Sequence, residues 1–311
     1  MPTRRGTGAR EGSRAPAASE APATRSETMR RLAPYLQVAP LTLLLLFFLV
    51  IPVAAILVVS FWSYDEFDIY PDFILDNYAW IFTSPVTYSI YLKTIYYAVV
   101  TWAITLVLGF TISYYLVFHV KNLLWQIGLF LLCTVPFWTS NVIRMISWIP
   151  FLGREGLFNQ ALMNAGITSE PLEFLLFSDF AVILAYVHLF TLFMIVPIFN
   201  AMARIDPALI EAAIDGGAKP WQVIWEVVLP LSKTGIALGS IFVIALVMGD
   251  FFVVRTMSGG QSGSVVSAMM NEIALLQYPT AAAGAVVLLV IVTLMVAAIL
   301  RVVDVRKELA G

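Results

Sequence analysis

Two charged residues stand in apolar surroundings where a charge has no ordinary place. Arg144 is flanked by Val142-Ile143 and Met145-Ile146, and Asp250 follows the apolar run that ends at Gly249. A charge at the centre of a bilayer costs about 2.5–3.5 kcal/mol on insertion scales, so such residues normally face a cavity or a partner group. One reading makes them the lining of a path across the membrane: Asp250 would attract a cationic solute and Arg144 would orient a gate, with Trp138, Asn141 and Trp148 as neighbours on the same stretch. The same residue types also fit a structural Arg144–Asp250 pair, or a contact of either with a neighbouring subunit. His119 and His188 lack an acidic or second histidine neighbour at ligand spacing, which argues against a metal site. No nucleophile–base arrangement is visible, and the single Cys133 permits neither a disulfide nor a cysteine-based metal centre.

These residues must be positioned by membrane helices. With 60% hydrophobic and 12% charged residues and a mean hydropathy of +0.88, the composition belongs to polytopic membrane proteins. Apolar stretches long enough to cross a hydrocarbon core of ~30 Å occur at about 40–62, 94–118, 123–148, 178–202, 234–256 and 282–303, which predicts an all-α fold of six transmembrane helices over 34–305. The arginines before the first span, Lys121, Arg204, Lys219, Lys233, and the Arg301, Arg306 and Lys307 group fall on one side. By the positive-inside rule that side, with both termini and the loop 203–233, is cytoplasmic. The acidic loop after the first span (Asp65, Glu66, Asp68, Asp72, Asp76) belongs outside.

Residues 1–33 are rich in Ala, Arg, Ser, Thr and Pro and read as a disordered cytoplasmic tail; 306–311 form a short cytoplasmic end. The first apolar run is of full span length with no cleavage site after it, so it is expected to stay as an anchor. An interfacial helix is expected between the first two spans, a packed loop with an amphipathic turn over 152–177, and an interfacial or re-entrant helix over 265–276. Pro136 and Pro197 fall within spans and predict kinks.

The loop 203–233 carries the most specific pattern. Asp206 suits an N-cap with Pro207 at the first helical position, Gly216-Gly217 then breaks the helix, and Lys219-Pro220 opens a second one with Val223, Ile224, Val227 and Val228 as its apolar stripe. Small alanines let a partner surface approach, and glycine permits a backbone angle that a side chain forbids. Glu211-Ala212-Ala213, then Gly217, Ala218, Trp221, Val227, Leu229 and Pro230, resemble the cytoplasmic "EAA" loop of ABC-importer permeases, with Val227 where that family usually has Ile. An amphipathic helix lying on lipid is the competing reading, weakened by the scarcity of Lys and Arg.

The resemblance extends through Asp76-Asn77-Tyr78, Pro136 to Ser140 with Arg144, Gly153 to Asn159, and Gly249-Asp250-Phe251, which together look like the permease subunit of the spermidine/putrescine importer group. Met145-Ile146-Ser147 depart from the Thr-Tyr-Ala more usual there. The resemblance implies a type I ABC-importer permease-like fold, a bacterial inner-membrane location, and coupling to a separate ATPase dimer through Glu211, Ala212, Ala213, Gly217, Ala218, Trp221, Leu229 and Pro230. It further implies a second permease subunit forming a heterodimer, a periplasmic or extracellular solute-binding protein, contact with membrane lipid and none with nucleic acid. The chain is then no enzyme and holds no cofactor, ATP and Mg being bound by the partner ATPase. Met257-Ser258-Gly259-Gly260-Gln261 is similar to the LSGGQ string of ABC ATPase domains, but no Lys here follows a glycine as a P-loop requires, so the match is read as chance. A stand-alone six-helix carrier or channel would usually show carboxylates on several spans or an internal repeat, and a membrane enzyme would show a His or carboxylate cluster; neither is visible.

Overall fold

The computed structural model describes residues 37–65 and 68–303. The expected tails and Glu66 lie outside the described residues. The chain divides into two compact units after Ala54. The described part of the first unit is helical and apolar around its whole circumference, as the Leu/Phe/Val run of 43–50 dictates. It belongs to helix α1 (Gln37–Val59).

In the second unit a two-residue hairpin, β1 (Ser63–Tyr64) and β2 (Ile69–Tyr70), precedes α2 (Asp76–Thr83) and the long α3 (Pro85–Phe118). Ser84 caps α3 and Pro85 opens it. After α4 (Leu123–Thr134) the chain passes Pro136 in a 3-10 turn and resumes as α5 (Asn141–Ile146), α6 (Trp148–Leu152) and α7 (Leu157–Asn164). Then come α8 (Asp179–Met202), α9 (Pro207–Asp215), α10 (Pro220–Met248), α11 (Phe252–Met257), α12 (Val265–Ala274) and α13 (Tyr278–Val302).

Among the described residues five helices, α1, α3, α8, α10 and α13, are long and apolar enough to cross a membrane, and a sixth span is obtained if the pair Leu123–Trp138 and Asn141–Asn164, bent by 91°, is counted as one. The sequence predicts a third span kinked at Pro136; the structure bends there by a near right angle. Proline removes a backbone donor and the 3-10 turn resets the direction of the chain, so the polar stretch Thr139-Ser140-Asn141 starts a new helix. The fifth span also differs from expectation. It starts at Pro220 rather than at about 234, because a π-helical stretch over Val223–Val228 carries the helix on from Pro220 to Met248 without a break.

The core is α8 packed between α3 and α10. Its contacts rest on small residues: a Cβ at Gly109 would stand 2.7 Å from Met194 Cγ, one at Gly239 2.7 Å from Met194 Sδ, and one at Gly235 2.4 Å from the Pro197 carbonyl oxygen. Met194 is fully buried in the space so left. Close backbone approach of this kind replaces the hydrophobic drive that lipid does not supply. Polar pins add to it: Trp102 Nε1 donates to Ser240 Oγ at 2.8 Å, Ser113 Oγ to the Ile195 carbonyl at 3.2 Å and Tyr91 OH to the Gly284 carbonyl at 2.9 Å.

Candidate functional site

The segment 206–230 is built as its sequence dictates. Asp206 Oδ1 accepts from the Ala208 amide at 2.9 Å, capping α9. The helix ends where Gly217, at φ +84°, takes a left-handed conformation, closed by Gly217 N–H to the Ile214 carbonyl at 2.9 Å and Ala218 N–H to the Ala213 carbonyl at 3.0 Å. Only glycine adopts that region without cost. Gln222 Oε1 then accepts from the Lys219 amide at 2.8 Å, setting the start of α10.

This helix–glycine–helix has two faces. Ile210, Ala213 and Ala218 pack on the core with the buried Val223 and Val228. Glu211, Ala212, Gly217 and Pro230 are exposed, as are Ile214 (57%), Trp221 (58%) and Trp225 (64%). Of the residues expected in the docking surface, Glu211, Ala212, Gly217, Trp221 and Pro230 are therefore exposed, while Ala213, Ala218 and Leu229 are half-buried. Trp225 was not anticipated; its spacing of four from Trp221 on one helix was the available signal.

The intramembrane charges do not meet. Asp250 Oδ1 accepts from the Val253 amide at 2.8 Å and from Tyr186 OH at 3.2 Å, which holds the first turn of α11 against α8. Arg144 is only 6% exposed. Its Nη2 donates to Asn141 Oδ1, its Cζ stands 5.2 Å from the Phe137 ring centroid, and its Nε and Nη1 are buried without a hydrogen-bond partner. Neither ion pair found among the described residues, Lys93–Asp179 and Arg154–Glu173, involves it. Among the described residues Arg144 is thus the charged side chain with buried polar atoms that lack a partner. Trp148 donates from Nε1 to His188 Nδ1 at 3.0 Å, and Trp138 is exposed.

Phe137 also lines a groove of about 260 Å³ along α8 and α10. Through the shared Val196, Pro197 and Phe242 this groove continues into one of about 750 Å³ that ends at Arg204 and Asp206, beside the docking segment.

At the opposite end of the bundle stands a network that sequence reasoning missed. Asp179 Oδ1 receives Tyr97 OH at 2.6 Å, Lys93 Nζ at 3.0 Å and Ser262 Oγ at 2.9 Å, while Lys93 Nζ donates to Ser262 Oγ at 2.7 Å. It ties α3, α8 and the turn between α11 and α12 together. Two motif residues prove to be organisers of loops. Buried Asn77 donates from Nδ2 to the Ser60 and Trp62 carbonyls at 3.1 and 2.9 Å, and buried Asn159 accepts the Leu172 amide at 2.8 Å and donates to the Gly153 carbonyl at 3.0 Å.

No family model matches the chain. It is 32% identical over 230 residues, 73% of this chain and 79% of the relative, to the spermidine/putrescine transport system permease protein PotB of Haemophilus influenzae. It is 30% identical to PotB of Escherichia coli, over 72% of this chain and 80% of that one, and 28% identical to the inner membrane ABC transporter permease protein YdcU of E. coli, over 78% and 80%. Among solved structures, a bacterial ABC transporter involved in the import of the acidic polysaccharide alginate superposes with a TM-score of 0.70 at 17% identity, covering 89% of this chain and 97% of that one; at that identity the likeness shows the fold. The polytopic helical fold and the similarity to PotB agree, and the chain belongs to the ABC-transporter permease family that includes the spermidine/putrescine permeases.

Proposed function

We propose that this chain is one of two permease subunits of an ATP-driven bacterial importer, that it docks on a separate ATPase through 206–230, and that it forms half of the path for a polyamine or a related small organic solute. The observation that carries the docking role is the exposed surface of α9 and the start of α10. Ile214, Trp221 and Trp225 stand open around a glycine held at positive φ, and exposed apolar groups clustered about a fixed elbow mark a protein contact. ATP and Mg belong to the ATPase. Closure of the ATPase pair would push α9, and because α10 is continuous from Pro220 to Met248 the push would reach the α3–α8–α10 core and alternate access to the groove along α8 and α10.

The solute class rests on the names of the relatives, and the inner-membrane location on that of YdcU. The arginine-rich first 31 residues support a cytoplasmic side for both termini and the docking segment. A solute-binding protein on the other side follows from the importer reading; a neighbour in fold was solved together with its periplasmic protein. Purification of the tagged chain from its own host in mild detergent tests the proposal. An ATP-binding subunit and a second permease are expected to co-purify in stoichiometric amounts, and a chain that reconstitutes transport alone would show a carrier instead.

A further inference from the structure

We propose that Asp179 and Ser262 receive the primary ammonium end of the incoming amine at the outer mouth of the permease, and that Lys93 fills this receptor as a built-in stand-in until the solute displaces it. The proposal deepens the importer reading and rests on it. The present occupant shows the chemistry. Lys93 carries a primary ammonium on a four-carbon stem, the end group of a four-carbon diamine. Its Nζ donates to Ser262 Oγ at 2.7 Å and stands 3.0 Å from Asp179 Oδ1. The receptor is held in shape without it. Tyr97 OH, on a buried ring, donates to Asp179 Oδ1 at 2.6 Å, and Ser262 Oγ donates to the same oxygen at 2.9 Å. Ser262 is in turn fixed by the buried Ser258 hydroxyl, which accepts from the Ser262 amide and donates to the Ser262 carbonyl, each at 3.2 Å. Gly259 and Gly260, at φ +60° and +80°, close that turn. The string Met257 to Gln261 thus shapes a turn that presents the next residue's hydroxyl.

The stand-in is removable. The side chains of Lys93 and Asp179 are 33% and 42% exposed, and an ion pair in contact with water is weakly held. Beside it lies a groove of about 390 Å³ lined by Pro85, Ser89, Ile90, Lys93 and Ser262 among others. A methylene chain in that groove meets Pro85 and Ile90 while its ammonium reaches Ser262. A carboxylate and a hydroxyl select a cation that donates hydrogen bonds, so a primary ammonium fits and a quaternary one does not. When Lys93 leaves, Tyr97 keeps the carboxylate in place for the newcomer.

Vacating the receptor tests this. The permease–ATPase complex is purified without its solute-binding protein into phosphatidylcholine nanodiscs, whose lipid carries no primary amine. A ligand that binds the native state raises its melting midpoint, and a tethered competitor acts at a high effective concentration. In Lys93→Ala, putrescine should therefore give a rise on the order of 2 °C at concentrations roughly ten-fold or more below those the wild type needs. The gain should vanish when Asp179→Asn is added to Lys93→Ala, and tetramethylammonium at equal ionic strength should not produce it. An unchanged putrescine affinity in Lys93→Ala, a gain that survives Asp179→Asn, or an equal gain with tetramethylammonium would each overturn the proposal and leave Lys93–Asp179 as a structural pair. A rise in Lys93→Ala with phosphatidylethanolamine in the disc but none with putrescine would assign the receptor to a lipid headgroup and overturn it too. If Lys93→Ala does not assemble, the wild type decides. Putrescine should then speed acetylation of Lys93 by a water-soluble reagent, measured by peptide mass spectrometry relative to Lys121 and Lys219, and unchanged or slower labelling counts against the proposal. The ATPase content of the same preparation reports separately on the importer reading.

Discussion

Glycine is used for opposite reasons at two places in this molecule. At Gly235, Gly239 and Gly109 the space is full: an added Cβ would press on Pro197 or Met194. At Gly217 the space is open, with nothing within 4 Å of an added Cβ, but φ is +84°. The first three allow α3, α8 and α10 to touch, and the last aims a helix at the surface. A bundle that must move as a body needs the first kind of site, and a segment that must meet a partner in one orientation needs the second. Substitutions at the two should therefore fail differently.

Gly235→Val gives the largest effect expected. Its Cβ would meet the Pro197 carbonyl oxygen at 2.4 Å and Ala201 Cβ at 2.7 Å, and backbone cannot yield as a flexible side chain does. Overpacking costs about 1–3 kcal/mol or more, so the variant should lose monodisperse, folded permease by detergent size-exclusion. Normal yield and melting would show that α8 and α10 are less tightly joined than described.

The substitutions at Gly217 should spare the fold and weaken docking. Gly217→Val at a left-handed position costs about 1–3 kcal/mol, a loss of roughly ten- to a hundred-fold in ATPase association. Asn tolerates this region far better than other residues, so the series sharpens the comparison. If the elbow needs its backbone angle alone, Gly217→Asn restores association that Gly217→Ala loses. If it needs the empty space as well, both lose it. Pull-down of the ATPase and solute-stimulated hydrolysis in liposomes distinguish the two.

Asp206→Ala, in the same segment, removes the cap of α9 and costs about 1 kcal/mol, which predicts a several-fold loss of association without loss of the core. The smallest effect concerns Glu272 on α12, whose carboxyl is pushed up by burial from 4.5 to about 7. A raised carboxyl pKa favours the protonated form in the fold, so its contribution is fully present below about 4.5 and is lost as pH rises through about 7. The melting midpoint should fall slightly over that window, and Glu272→Gln should flatten the change.

Much of the architecture is legible in the sequence because lipid imposes a coarse rule. Long apolar runs become spans, and Asp206-Pro207, Gly216-Gly217 and Lys219-Pro220 punctuate the docking segment through local chemistry. Pro136 announces a kink, but the 91° bend depends on how α5 finds α8 and α11. Lys93 reads as a loop cation from its surroundings, yet α3 begins at Pro85 and places it against Asp179, a partner distant in sequence. The unpaired state of Arg144 was equally hidden, since an Arg and an Asp in one membrane invite pairing on paper. Asp250 instead serves a helix start, which only the tertiary structure reveals.

The central claim, that the exposed elbow meets an ATPase, is tested most directly by site-specific photocrosslinking. A photoreactive residue is placed at Ile214 and, in a second protein, at the exposed Phe82 of α2, at the opposite end of the bundle. The account predicts that the Ile214 probe captures the ATP-binding subunit in native membranes, that capture falls in the Gly217→Val background, and that the Phe82 probe never captures it. Capture from Phe82, or lipid adducts alone from Ile214, would contradict it.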